Sequence, residues 1–180
     1  YIVTYRILKY VAIRHQLFVD IWRTVYNLNC MNITDQLLAK YPIISDQVDA
    51  KELGVLLREL ETVLRSGVTG NIVEFGCYVG TTSLFIRRLL DAYDFTGEFH
   101  VYDSFAGLPE KTQADASAAG EQFKAGELLA PRKTFIQNFK KAGLKLPTVH
   151  KGWFADFSPD DVPESIIFAF FDGDFYESIV

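Results

Sequence analysis

Two carboxylates, Asp172 and Asp174, flank a single glycine in FFDGDFYES, directly after an apolar run. Residues two apart on an extended chain face the same way, so both acids are placed to look into one site, with Gly173 leaving room between them. Hard carboxylate oxygens suit Mg²⁺, which keeps several waters and takes only a few protein ligands. An acid here also suits proton removal from a hydroxyl group. A capping role competes, because a helix beginning at Phe175 would favour negative charge at its first turn. For Asp174 the cap competes closely; for Asp172 the metal is the stronger reading.

A second cluster lies in VEFGCYVGTTS, residues 73–83. Gly76 and Gly80 let the backbone turn tightly and let a ligand approach. The dinucleotide fingerprint G-x-G-x-x-G is absent, and an acid, Glu74, precedes the first glycine. A pyrophosphate beside that carboxylate would be repelled, which disfavours NAD and FAD. S-adenosylmethionine carries a sulfonium and an ammonium group instead, and both welcome an acid. Asp103 ends the next strand-like run, where it could accept hydrogen bonds from ribose hydroxyls. The plainer alternative is that the glycines only shape a turn and Glu74 caps the following helix.

These residues need a frame. NIVEFG (71–76) reads as a short buried strand, and the runs EFHVYDSF (98–105), PTVHKGWF (147–154) and SIIFAFFDGD (165–174) as three more strands. Between them, TTSLFIRRLLDAY (81–93) and PRKTFIQNFKKAG (131–143) read as helices, the latter with Pro131 at its start and Gly143 past its end. Another helix is expected over 49–65, while 30–48 reads as irregular, with Asn32, Pro42 and Ser45 as punctuation. Ala106 to Ala130 reads as a loop able to close over a ligand. Strand–helix alternation with continuous apolar strands predicts an α/β domain with a parallel sheet. Residues 4–29 carry a basic amphipathic helical pattern, which suits packing on the domain, a second subunit, or a membrane surface.

The ordered set VEFGCYVGTTS, VYDSFAGLPE, KGWFAD and FFDGDFYES resembles the macrocin O-methyltransferase (TylF-like) family, over roughly residues 68–180. YDSFAGLPE and DGDFYES are its specific signatures; the first glycine turn is shared with many methyltransferases. The resemblance implies a Rossmann-like class I methyltransferase domain over 49–180, preceded by a helical extension over 1–48. It implies S-adenosylmethionine held by Glu74, Gly76, Tyr78, Gly80, Thr81 and Thr82 around the methionine end and ribose. Asp103 would hold the ribose, with Ser104 and Phe105 beside it. Trp153 and Phe154 would stack on the adenine, and Asp156 would accept from its amine. Asp172 would bind Mg²⁺, with Asp174 behind it or serving as base. Such a sheet has seven strands, of which this sequence supplies about four, so the chain reads as part of a longer enzyme.

The 180 residues suffice for one domain with a core, and 49% are hydrophobic. A formal net charge of -5 argues against general nucleic-acid binding. Cys30 and Cys77 make neither a disulfide framework nor a metal spacing, which suits a reducing cytoplasm. His15, His100 and His150 are scattered and read as surface or strand residues. The expectation is a Mg²⁺-assisted O-methyltransferase acting on a sugar or similar hydroxyl, with a homodimer through the N-terminal helix as an option. The alternatives are a cofactor-binding module without chemistry and, less favoured, a nicotinamide-dependent oxidoreductase.

Overall fold

The computed structural model describes residues 32–115 and 123–176. The basic amphipathic segment at 4–29, with any membrane or dimer role, lies outside them. Four helices and four strands follow in chain order: α1 (Ile33–Lys40), α2 (Ala50–Arg65), β1 (Asn71–Phe75), α3 (Thr81–Ala92), β2 (Phe99–Asp103), α4 (Arg132–Ala142), β3 (Thr148–Lys151) and β4 (Ile166–Phe171). All strand pairings are parallel, in the order β3-β2-β1-β4. The chain builds outward from β1 to β3 and then returns to the other side of β1. That reversal falls between β1 and β4, the place where open α/β sheets bind ligands at the carboxyl ends of their strands.

The expected elements form because their end signals are specific. Asp49 accepts from the amides of Lys51 and Glu52, both at 2.8 Å, and Glu52 reaches back to the Asp49 amide at 3.1 Å. This reciprocal cap starts α2. Gly143 ends α4 in the left-handed conformation at φ +66.

Residues 30–48 are not wholly irregular, because α1 lies within them. Asn32, read as punctuation, is its N-cap and accepts from the Asp35 amide at 2.8 Å. Eight residues hold too few turns for a clear apolar period, so the cap was the legible signal. Thr34 of α1 donates to Glu61 of α2 at 2.7 Å, and Leu37 joins the core.

One face of the sheet carries the helices. Ile72, Val101 and Phe99 meet Leu53, Leu57 and Leu60 of α2, Phe85 and Leu89 of α3, and Phe135 and Phe139 of α4 in a single buried cluster. The opposite face carries a row of stacked rings that crosses all four strands. Phe171 stacks on Phe75 at 5.0 Å, Phe75 on Tyr102 at 4.6 Å, and Tyr102 on His150 at 4.3 Å. His100 and His150, remote in sequence, meet across the β2–β3 pairing with ring nitrogens 3.1 Å apart. Among the described residues no helix is long and apolar enough to cross a membrane.

Candidate active site

The strand ends at the reversal are tied together by backbone bonds. Gly76 donates to the Tyr102 carbonyl and Asp172 to the Phe75 carbonyl, each at 2.8 Å. Gly76 sits at φ +89, and a Cβ there would stand 2.4 Å from the Asp172 carbonyl oxygen. Only glycine permits that approach. Gly80, also at φ +89, opens α3; a Cβ there would meet the Phe135 ring at 2.8 Å. The two glycines therefore answer different needs: one lets β1 and β4 leave side by side, the other lets α4 pack beneath the turn.

Asp103 fixes the turn from β2. Its Oδ2 accepts from the amides of Cys77 at 2.8 Å and Tyr78 at 3.1 Å, and its Oδ1 from Phe105 at 2.7 Å. A carboxylate has about four acceptor sites, so little of Asp103 is left for a ligand. Tyr78 and Phe105 both take positive φ, +48 and +52. Such conformations are uncommon for aromatic residues and persist where the surroundings enforce them. The Asp103 bonds to both amides supply that enforcement.

Glu74 is fully buried in β1 and turned to the helix face, where Ser83 of α3 donates to its Oε2 at 2.5 Å. This is a side-chain bond to the third residue of the helix, not a backbone cap. Its Oε1 is buried without a partner. Burial, and then the fields of Asp172 and Asp103, push its carboxyl well above the usual range, against the pull of Ser83.

A cavity of about 290 Å³ opens over these strand ends. Of the sequence-expected site residues, it brings together Gly76, Tyr78, Asp103, Ser104, Trp153, Phe154, Asp172 and Asp174. Glu74, Gly80, Thr81, Thr82, Phe105 and Asp156 do not line it. Thr81 donates to Ser45 at 3.0 Å, Phe105 packs edge-on against Phe135, and Asp156 accepts from the Trp153 amide at 3.3 Å. The cavity also includes residues that sequence reading passed over: Gln47 from the α1–α2 connection, and Leu108, Pro109, Phe123 and Leu128 from the β2–α4 connection. Of these, only Leu108 and Pro109 carried a signal, within the YDSFAGLPE signature.

The charge of this lining is one-sided. Asp103, Asp172 and Asp174 face the cavity, and no lysine, arginine or histidine among the described residues does. Asp172 is exposed on the cavity wall, and the packing around this strand end partly desolvates its carboxylate. That desolvation, with Asp174, Glu52 and Asp103 adding, raises its carboxyl to about 6. Desolvation raises Asp174 as well. Neither carboxylate accepts a side-chain or backbone bond from another described residue.

An open parallel sheet with an acid-lined cavity at its reversal point defines a Rossmann-like α/β domain. Residues 41–180 match the macrocin O-methyltransferase (TylF) family, and the chain belongs to it. It is 36% identical over 138 residues to the 8-demethyl-8-(2,3-dimethoxy-alpha-L-rhamnosyl)-tetracenomycin-C 4'-O-methyltransferase of Streptomyces olivaceus, covering 73% of this chain and 52% of that protein. It is 33% identical over 145 residues to the mycinamicin III 3''-O-methyltransferase of Micromonospora griseorubida, covering 76% and 57%. The solved structure of the O-methyltransferase NovP superposes with a TM-score of 0.62 at 28% identity, covering 73% of this chain and 57% of that one. The chain therefore spans about half the length of these curated relatives.

Proposed function

We propose that this chain carries the cofactor half of an S-adenosylmethionine-dependent O-methyltransferase whose acceptor is a hydroxyl of a sugar or sugar-like group. One observation supports this most: a cavity at the β1–β4 reversal whose charged lining is wholly acidic, in a chain of this family. A phosphate-bearing cofactor would bring negative charge to three carboxylates with no cation to offset it. A sulfonium and an ammonium bring the opposite charge. The sugar acceptor is suggested by the Streptomyces olivaceus relative, whose name specifies O-methylation of a rhamnosyl-bearing tetracenomycin.

S-adenosylmethionine, when bound, supplies an electrophilic methyl carbon. Transfer of that methyl to an acceptor hydroxyl would release S-adenosylhomocysteine and a proton, and the cavity residues would have to take up the proton. Asp172, ionised above pH about 6, would take that proton or hold a metal that polarises the hydroxyl. Asp174 faces the same cavity and would support either role. Trp153 and Phe154 provide an aromatic wall suited to a purine, and Trp153 remains 39% exposed there. Gly76 and the amides fixed by Asp103 shape the floor. Glu74 lies behind that floor with one unpartnered oxygen, and burial favours its neutral form.

Magnesium fits the donor chemistry only in part. Asp172 and Asp174 are hard oxygen donors with raised carboxyl groups, as sites that await a cation often are. Among the described residues, however, no group of three or more potential ligands converges. Mg²⁺ accepts one or two carboxylates and keeps its waters, so Asp172, with Asp174, would hold it here.

Transfer of labelled methyl from S-adenosylmethionine to deoxysugar glycosides, with and without Mg²⁺, tests the reading. Methylation of a hydroxyl, with release of S-adenosylhomocysteine, is the expected result. Binding of S-adenosylhomocysteine without transfer to any hydroxylated acceptor would instead favour a cofactor-binding module. Displacement of S-adenosylhomocysteine by NAD at similar concentration would favour an oxidoreductase.

A further inference from the structure

The connection between β2 and α4 is stapled to itself and then to the segment that follows β4. The Leu108 amide donates to the Glu127 carbonyl and the Gly126 amide to the Leu108 carbonyl, both at 2.9 Å. Gly107, at φ +86, lets the two runs meet: a Cβ there would stand 2.7 Å from both the Gly126 and Glu127 carbonyl oxygens. This staple carries Leu108, Pro109 and Leu128 to the cavity wall.

Asp115 makes the second joint. Its Oδ2 accepts from the Thr112 amide at 2.7 Å and the Thr112 hydroxyl at 3.0 Å, which closes a local turn. Its Oδ1 accepts from the backbone amide of Tyr176 at 2.7 Å, across 61 positions of sequence. The Thr112 and Tyr176 amides hold this carboxyl below the usual range, so it stays ionised and a strong acceptor at neutral pH. Beside it, Lys111 Nζ stands 5.6 Å from the centre of the Phe175 ring, which is buried. Phe175 and Tyr176 are the two residues directly after Asp174. One carboxylate therefore links the wall of the cavity to the stretch that presents its acid pair.

We propose that Asp115 is a positioning residue for methyl transfer: it clamps the β2–α4 connection to the segment after β4, so that the apolar wall and Asp172 and Asp174 hold one geometry. This rests on the methyltransferase reading of the cavity. Asp115 does not line the cavity and touches no reacting atom; it acts through the Tyr176 backbone.

Asp115→Ala removes the acceptor for both Thr112 and Tyr176. Asp115→Asn keeps one acceptor oxygen, which the two Thr112 donors claim, and so sets its amide nitrogen against the Tyr176 amide with little change of shape. Amide exchange reads the clamp directly. In both variants the Tyr176 amide should exchange at least about tenfold faster, while core amides of α3 keep their protection. Kinetics reads the positioning. Asp103 and the glycine turn are untouched, so S-adenosylhomocysteine affinity should change less than about threefold while kcat falls at least about tenfold. Unchanged Tyr176 exchange would overturn the clamp. Faster exchange with kcat intact would overturn the positioning role, as would equal losses of affinity and kcat, which mark a general structural defect. A wild-type protein that binds no S-adenosylhomocysteine would remove the methyltransferase reading and the positioning role with it. In that case Tyr176 exchange would still report whether the clamp exists, so the two failures are distinguishable.

Discussion

The carbonyl oxygen of Asp172 fills the space that a side chain on Gly76 would need, 2.4 Å from the position of its Cβ. The relationship joins the first glycine of the turn to the acid at the end of β4, nearly a hundred residues later. It makes the cavity a product of β1 and β4 together, so neither can shift without moving the other.

Gly76→Ala should therefore damage both fold and site. The left-handed conformation alone costs an alanine about 1 kcal/mol, and the overlap with backbone adds to it. A loss of about 2–4 kcal/mol in denaturant unfolding is expected, with S-adenosylhomocysteine binding reduced beyond detection. Near-normal binding by Gly76→Ala would show that β4 can move away without harm to the site.

Asp103 holds the turn through three backbone amides. In Asp103→Ala those amides lose their acceptor, and Tyr78 loses what keeps it at positive φ. The expected cost is about 1–3 kcal/mol in unfolding free energy and a larger proportional loss in ligand affinity. A variant that binds ligand normally would place the stiffness of the turn elsewhere.

The carboxyl of Asp172 gives a pH signature. Its folded-state value, about 6, lies above the unfolded value of 3.8. The native state thus binds the proton more tightly, and this group's contribution to stability is largest below the unfolded value. It is lost as pH rises through about 6. Asp172→Asn should flatten that part of the stability curve and leave the fold at pH 8 as stable as wild type or more so, while methyl transfer falls at least about a hundredfold. A cationic ligand should bind more tightly as pH rises through the same range, and the asparagine variant should lose this slope. A wild-type affinity flat between pH 5 and 7.5 would contradict the charge assignment.

Among the described residues Ser83 supplies the only hydrogen bond to the Glu74 carboxyl. Ser83→Ala should cost about 1–3 kcal/mol, because the buried acid keeps no partner. Glu74→Gln on the same background should recover part of that loss, since it removes an acid whose charged form burial penalises. Thermal unfolding of the two single variants and the double variant measures the recovery.

Much of this arrangement was legible in the sequence, for identifiable reasons. Strands such as IIFAFF are continuous apolar runs, and helices such as 132–142 carry Pro and Gly at their ends. Asp172 and Asp174 stood out because two acids directly follow a continuous apolar strand run. Glu74 was legible as special but not in its surroundings, since only the packing of α3 on β1 shows that Ser83 takes its oxygen. The role of Asp103 was half legible: its place at a strand end was readable, its three amide partners were not. Gln47 and Phe123 gave no signal, because polar and apolar residues in irregular segments look alike until the chain folds back. The same holds for the pairing of His100 with His150, which depends on the β2–β3 register.

The most direct test of the central claim is calorimetric titration of S-adenosylmethionine into the protein and into Asp172→Asn across pH 5 to 8. Saturable binding that tightens through about pH 6 in the wild type, with a flat profile in Asp172→Asn, is the result this account predicts. A folded protein that takes up NAD in preference, or binds neither ligand at any pH, would contradict it.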